Sequence, residues 1–345
     1  METFNERVTI VIGARESFVH SKRSLESLYA TTRVPFKLLY MDAGSPFWIK
    51  TYLQREAMRK GFRLIRSSNF LAPNEIKNRA LPYVDTEFVV FADNDVVFAE
   101  NWLDALLACA DEEGAAVVVP LTTIGDKPFS VIHSSGGFGG IEETPAGRSY
   151  TGHQRHVNLP LSQVAETLRR GPVTNVEFHC FLGRTSVLRS LPPFDEALTT
   201  TLELDDFGLT ATQAGTKMFF EPKALVNQFL PLPLPRGFGD APFLLQRWNR
   251  EKSVASVTHF ARKWNLRTDN EVLSMKLYWT GYRRRQFLLG DPLCRLLRHT
   301  KGLVASVVRT PRRRVPDAKP AQGSSAAVAP RRSSKTFTEA GTPLR

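Results

Sequence analysis

The sequence predicts an α/β protein: a central, mostly parallel sheet between flanking helices, with a helical basic C-terminal extension and a disordered tail. Three observations carry this. Short β-branched runs alternate with stretches of helical spacing along the first 120 residues, and that alternation builds parallel strands joined by crossover helices. Polar and acidic residues follow directly on the strands, at Asp42 and at Asp93-Asn94-Asp95; in such sheets ligands bind at the carboxyl ends of strands. The charge is also segregated. Residues 276–345 carry 16 Lys+Arg against 3 Asp+Glu, while the other 275 residues hold 30 basic and 31 acidic side chains, so the net +12 belongs to the C-terminal segment.

Taken in order, Val8 to Ile12 is a buried strand ending at Gly13. Ser21 to Tyr29 places Leu25, Leu28 and Tyr29 at helical spacing. Phe36 to Met41 is a second strand, stopped by Asp42-Ala43-Gly44-Ser45-Pro46. Thr51 to Lys60 reads as helix, Phe62 to Ile65 as strand and Asn74 to Leu81 as a short helix. Phe88 to Ala92 is apolar on every residue, as in a strand buried on both faces. Continued alternation would then point the carboxylates of Asp93 and Asp95 the same way. Trp102 to Ala110 is helical and Ala115 to Val119 a strand. Residues 122–172, rich in Gly and Ser, read as one long irregular loop. Strand returns over Val176 to Gly183, with Glu177 and His179 on its polar side, and at Met218 to Phe220. A helix opens at Glu203-Leu204-Asp205-Asp206. Leu230 to Pro235 is an extended linker, residues 243–265 are helical, and from about Thr310 the Arg-, Pro- and Ser-rich chain is disordered.

At 345 residues and 42% hydrophobic composition the chain can bury a full core. Cys109, Cys180 and Cys294 are odd in number and lack metal-ligand spacing, so they read as reduced, packed thiols. Met1 to Val11 is charged within seven residues and does not read as a signal peptide. No apolar run approaches the roughly 20 residues a membrane-spanning helix needs. These features predict a cytoplasmic protein.

Two carboxylates at one strand end disfavour joint ionisation unless a cation lies between them, and hard oxygens suit Mg²⁺ or Mn²⁺ bridging to phosphates. A solvated turn is the plain alternative for Asp93-Asn94-Asp95. The order of motifs decides between them. A strand and polar loop (Val8 to Glu16) come first, then Asp42-Ala43-Gly44-Ser45, Lys77-Asn78-Arg79-Ala80, Asp93-Asn94-Asp95 and Trp102 behind it. Phe194-Asp195-Glu196 and Glu203-Leu204-Asp205-Asp206-Phe207 complete the series. Over residues 7–230 this order resembles an inverting nucleotide-sugar glycosyltransferase of family 2 with a GT-A fold. Departures are Gly13 for a Pro, Glu16 for an Asn, Lys77 for an Arg, and Leu204 splitting the acidic pair. The Q-x-x-R-W motif of processive synthases is absent, since Gln246-Arg247-Trp248 lacks its spacing.

The resemblance implies a GT-A domain over 1–230, with 1–110 the nucleotide-binding half and 111–230 the acceptor half. A helical extension over 231–310, basic from 276, and a disordered basic tail over 311–345 follow it. It implies a donor site of Ala14, Arg15, Glu16, Asp42, Lys77, Asn78, Arg79, Asp93 and Asn94, with Mg²⁺ or Mn²⁺ on Asp95 and Asp93. The base falls to Asp206, then Asp205, with Glu203 orienting the acceptor. The expected donor is a nucleotide-diphosphate sugar, UDP favoured, and the acceptor a glycan or lipid-linked hydroxyl of cell-envelope polysaccharide synthesis. His179 reads as a structural, hydrogen-bonded histidine, and Trp248 and Trp264 as core. Between Lys276 and Arg314, 11 Lys or Arg and one acid interleave with Tyr278, Trp279, Tyr282, Leu288, Leu289, Leu293, Leu296 and Leu297. That pattern predicts peripheral attachment to an anionic membrane at the inner face of the plasma membrane. A nucleotidyltransferase would need a Gly-rich loop that Gly13-Ala14-Arg15-Glu16-Ser17 does not supply. Nucleic-acid binding through the basic C-terminus leaves the motif series unexplained and is not favoured.

Overall fold

A computed structural model describes residues 6–267 and 269–308; the expected tail over 311–345 lies outside the described residues. The chain is one compact unit to Leu297, and a separate unit begins at Arg298. The elements are β1 (Val8–Gly13), α1 (Ser21–Thr31), β2 (Phe36–Ala43), α2 (Phe47–Lys60), β3 (Arg63–Ser67), α3 (Pro73–Ala80), β4 (Phe88–Asp93), β5 (Val96–Phe98), α4 (Trp102–Glu113) and β6 (Val117–Ile124). They continue with β7 (Ile132–Ser134), β8 (Gly137–Thr144), β9 (Gly147–Gln154), α5 (Leu161–Val164), β10 (Gly171–Pro172), β11 (Cys180–Arg184), α6 (Thr185–Ser190), α7 (Glu203–Gln213) and β12 (Met218–Gln228). Three α-helices follow among the described residues: α8 (Ala241–Arg247), α9 (Arg250–Lys263) and α10 (Glu271–Val308), the last interrupted by non-helical backbone at Gly290.

The central sheet runs β10-β12-β6-β11-β4-β1-β2-β3, with β5 on β12 and β7 on β6. β1 to β4 are mutually parallel where they pair, and β11 runs antiparallel to both β4 and β6. Every residue of β1 and β4 is buried, the expected consequence of helices on both faces. Register positions the site. Gly13 lies opposite Met41 on one side and Asp93 on the other, so β1 and β4 end together and β2 runs two residues further, to Ala43. The Asp93 amide donates to the His179 carbonyl and the Asn94 amide to the Gly13 carbonyl, which ties the chain before β11 to the same rim.

Four sequence expectations change. Residues 122–172 hold β7, a β8–β9 hairpin, α5 and β10 rather than one irregular loop. The hairpin escaped notice because it presents little apolar surface: Gly139 and Gly152 leave the space its buried Tyr150 phenol fills, a Cβ at either coming within 2.7 Å of that oxygen. The strand expected from Val176 starts only at Cys180. The 243–265 helix is two, parted at Trp248 and Asn249. α2 begins four residues before Thr51, at Phe47.

A second, smaller core forms beside the sheet from Tyr150, Leu198, Leu202, Leu209, Val257, Phe260, Trp264, Leu266 and Leu273. It binds the hairpin, α7, α9 and α10 into one body and fixes the start of α7. Gly208 allows the close approach on the other side: a Cβ there would lie 2.5 Å from the Thr174 carbonyl oxygen. No described helix is long and apolar enough to cross a membrane.

Candidate active site

A cavity of about 610 Å³ opens where these elements meet. Arg15 and Glu16, just past β1, form one part of its wall, and His133, Glu177 and His179 another. The start of α7 contributes Glu203, Leu204 and Asp205, and α10 covers it with Lys276, Trp279 and Arg283. The basic extension is therefore part of the site and not only an appendage to it. A further tie comes from Asp240, whose carboxylate accepts from the Ser17 hydroxyl at 2.5 Å and the Phe18 amide at 2.7 Å, bracing the loop after β1.

Asp93, Asp95 and His179 bring one ligand atom each to within 4.8 Å of one another. The carboxylates meet through a turn rather than through strand alternation, because β4 ends at Asp93 and residues 94 and 95 are no longer extended. Asp95 is fully buried and does not line the cavity, and among the described residues neither of its oxygens has a hydrogen-bond partner. Burial, then Asp93 and Glu16, push its carboxyl well above the usual carboxylate range. A buried carboxylate without a donor is costly, and hard oxygens with one imidazole are a set that a divalent cation satisfies. The donor set fits such an ion. His179 is thereby placed in the site: its Nδ1–H donates to Asp93 Oδ2 at 2.7 Å.

The other donor-site candidates divide. Ala14 and Lys77 line a small recess with Asp93. The Lys77 ammonium, 4.4 Å from the Phe178 ring centre, has its pKa lowered to about 7 by burial. Arg15 approaches Asp93 at 3.8 Å and remains cationic: burial opposes its charge, but Glu203, Asp93, Glu177 and Glu16 outweigh that. Burial likewise opposes the charge of Glu16, which Arg283 and Arg15 restore. Asp42 accepts from the Ser45 amide at 3.0 Å and pairs with Arg66, and Asn94 donates to the Ser21 hydroxyl at 2.8 Å. Asn78 and Arg79 lie apart from this group. Asn78 donates to the Phe194 carbonyl and Glu196, holding the turn before α7, and Arg79 is exposed beside Glu75. The helical repeat of α3 turns both away from Lys77.

The acidic cluster also rearranges. Asp206 does not line the cavity: its oxygens accept from Lys263 Nζ and the Trp264 indole, both at 2.8 Å. Burial raises its pKa despite these partners. Asp205 accepts from the Tyr150 hydroxyl at 2.6 Å and from Lys276 at 2.7 Å. Glu203 Oε1 accepts from Arg247 at 2.7 Å, while its buried Oε2 has no hydrogen-bond partner among the described residues. Burial opposes ionisation, yet Arg247 and Arg15 lower its pKa to about 2. Trp248 lines the cavity and Trp264 belongs to the second core. The sequence offered no sign of Tyr150, His133 or Asp240. It did display Arg247, in a tripeptide that lacked a known spacing.

Comparison with known proteins agrees with this architecture. A Glycosyl transferase family 2 model matches residues 10–191. Pre-mycofactocin glycosyltransferase from two strains of Mycobacterium tuberculosis is 24% identical over 220 residues, 64% of this chain and 42% of the relative. The chain thus spans less than half the length of these curated relatives. Among solved structures, GalNAc-T7 with UDP, GalNAc and Mn²⁺ superposes with a TM-score of 0.51 at 16% identity, over 64% of this chain and 42% of that one. The mannosyltransferase PcManGT from Pyrobaculum calidifontis, in complex with GDP-Man and Mn²⁺, gives 0.48 at 15% identity, over 88% and 81%. The sheet and its flanking helices are those of the GT-A fold. The family model covers more than half of the sequence, from β1 through α6, and the chain belongs to glycosyl transferase family 2.

Proposed function

We propose that this protein transfers a sugar from a nucleoside-diphosphate sugar to an acceptor hydroxyl with inversion, in a metal-dependent reaction. The observation that carries the reading is the convergence of Asp93, Asp95 and His179 beside a cavity lined by Glu203, whose buried Oε2 has no hydrogen-bond partner among the described residues. Asp95 and Asp93 would hold Mg²⁺ or Mn²⁺, which when bound supplies charge for the diphosphate leaving group. Arg15 and Lys77 lie where residual phosphate charge would fall, and Asp42 stands at the strand end suited to the nucleoside. Inversion in one displacement needs a base on the acceptor side. Glu203 takes that role in place of Asp206, whose oxygens are committed to Lys263 and Trp264. The donor's nucleotide is read as UDP and the acceptor as a glycan or lipid-linked hydroxyl.

Thermal shift tests the donor. UDP-, dTDP- and GDP-sugars are screened with and without Mn²⁺, and a ligand that binds only the folded protein raises Tm. A Mn²⁺-dependent rise with one nucleotide class is expected; no rise with any of them overturns the reading.

Peripheral membrane attachment belongs to the same proposal. On α10, Tyr278, Trp279, Leu288, Leu289 and Leu293 are exposed, with Arg285 exposed among them. Phe47, Trp48 and Phe238 are also exposed, and Gly239 lies against the Trp48 ring. The expected side chains at Asp291, Leu296 and Leu297 lie outside those described. Aromatic and aliphatic groups beside cations suit an anionic interface, at about 1 kcal/mol per engaged cation. Sedimentation with vesicles containing anionic lipid should pellet the protein, salt should release it, and Leu288→Asp/Leu289→Asp should abolish pelleting. Equal pelleting with neutral vesicles would refute it.

A further inference from the structure

We propose that His133, Glu177 and His179 form a second divalent-cation site on the cavity wall, suited to a borderline transition metal such as Zn²⁺. All three residues line the cavity, and one ligand atom from each lies within 4.8 Å of the others. His133 comes from β7, while Glu177 and His179 precede β11, so the topology assembles the set from two segments. The two imidazole rings meet edge to face with centroids 5.2 Å apart.

The contacts within the set are those of ligands and not of a finished hydrogen-bond network. Glu177 Oε2 stands 3.4 Å from His133 Nε2, and Oε1 stands 3.7 Å from His179 Nε2. Both exceed ordinary N–H···O lengths of about 2.7–3.2 Å. The carboxylate is held in place by the Phe178 amide, which donates to Oε1 at 2.9 Å. His179 gives its Nδ1–H to Asp93 Oδ2 at 2.7 Å, which fixes its tautomer and leaves the Nε2 lone pair free. A histidine that ligates through one nitrogen and donates the other N–H to a carboxylate is the usual arrangement around bound metals.

The chemistry separates this site from the carboxylate site beside it. Asp93 and Asp95 offer hard oxygens, whereas two imidazoles and one carboxylate select Zn²⁺ over Mg²⁺. Three protein ligands would leave a fourth tetrahedral position open, as in zinc sites that act on a ligand, and here all three ligands line the cavity. The two sites meet at His179, which belongs to both groups and is hydrogen-bonded to Asp93 through its Nδ1–H and through its carbonyl. Arg15 also acts on Glu177, but Glu203, Asp93 and Glu16 share its charge.

The test uses the full chain, stripped of metal and titrated with Zn²⁺ in excess Mg²⁺ by equilibrium dialysis, with Co²⁺ as a spectroscopic probe. One equivalent of Zn²⁺ should be retained, and Co²⁺ should give the visible bands of a four-coordinate site. His133→Asn should weaken Zn²⁺ binding by about 10–100-fold, and Glu177→Gln should do the same, which covers the case in which one variant folds poorly. Asp95→Asn should leave it unchanged. The absence of stoichiometric binding in the wild-type chain overturns the proposal. So does binding that is lost in Asp95→Asn and kept in His133→Asn, which would put the ion on Asp93, Asp95 and His179.

Discussion

Asp95→Asn is expected to remove the Mn²⁺-dependent part of nucleotide affinity, to lower turnover by about 10³-fold, and to raise the stability of the metal-free protein. The first two effects follow from loss of a charged ligand. A bound ion contributes several kcal/mol to a developing negative charge, and each 1.36 kcal/mol is tenfold in rate. The third follows from the side chain's surroundings. Asp95 is fully buried and neither oxygen accepts a hydrogen bond among the described residues, while Asp93 and Glu16 add like charge. Its pKa is raised in the folded state, so folding takes up a proton that the unfolded chain has released. The destabilisation is absent below the unfolded carboxylate pKa of about 3.9 and grows as pH rises toward the raised folded value. Asparagine keeps the shape and drops the charge. Its Tm advantage should therefore appear at neutral pH without metal, shrink toward pH 3, and reverse when Mn²⁺ and nucleotide are added. Unchanged Mn²⁺-dependent affinity in the variant would take the ion away from Asp95.

What could be read in the sequence was whatever one chain segment encodes locally. β1, β2 and β4 are apolar runs bounded by polar residues, and their alternation with α1, α2 and α3 predicts the parallel pairing that aligns Gly13, Met41 and Asp93. Hence Asp42, Asp93 and Asp95 could be found from their position at strand ends. What stayed hidden depends on long-range packing. Tyr150 reaches Asp205 across 55 residues, and Arg247 reaches Glu203 across 44. Neither residue carries a local mark, and the glycines that admit Tyr150 make its hairpin look like loop. His179 was visible as a polar residue near a strand, but only the β4–β11 pairing, with Cys180 opposite Ala92, puts it against Asp93. In the acidic cluster, composition gave three candidates, and the second core determined which one is turned away from the cavity. Lys263 and Trp264 on α9 and the residue after it claim Asp206.

Glu203→Gln should cut turnover by about 10²–10⁴-fold, the usual share of a general base, with donor affinity little changed. The case rests on availability. Asp206 is spanned by Lys263 and Trp264, and Asp205 by Tyr150 and Lys276, whereas Glu203 Oε2 has no hydrogen-bond partner among the described residues. Asp206→Asn should consequently lower Tm and leave turnover near wild type; a drop in turnover there with Glu203→Gln still active would return the role to Asp206. The pKa of Glu203 is about 2, since Arg247 and Arg15 overcome the effect of burial. The depressed value means the Arg247–Glu203 pair contributes stability above the unfolded glutamate pKa of about 4.3, and that contribution is lost as pH falls through about 2. So low a pKa would make a poor base were it permanent. A bound diphosphate, however, competes for the guanidinium of Arg15, and as that neutralisation weakens the pKa of Glu203 rises toward the range where proton transfer is efficient. The free enzyme should accordingly show no acid limb in kcat/KM from Glu203 above about pH 4, well clear of that pKa. Arg247→Met removes the larger of the two opposing charges. It should bring an acid limb up into the ordinary carboxylate range, at a stability cost of about 3–5 kcal/mol for an unpaired buried carboxylate. If the acid limb stays where it was in Arg247→Met, Glu203 is not the group whose ionisation the reaction needs.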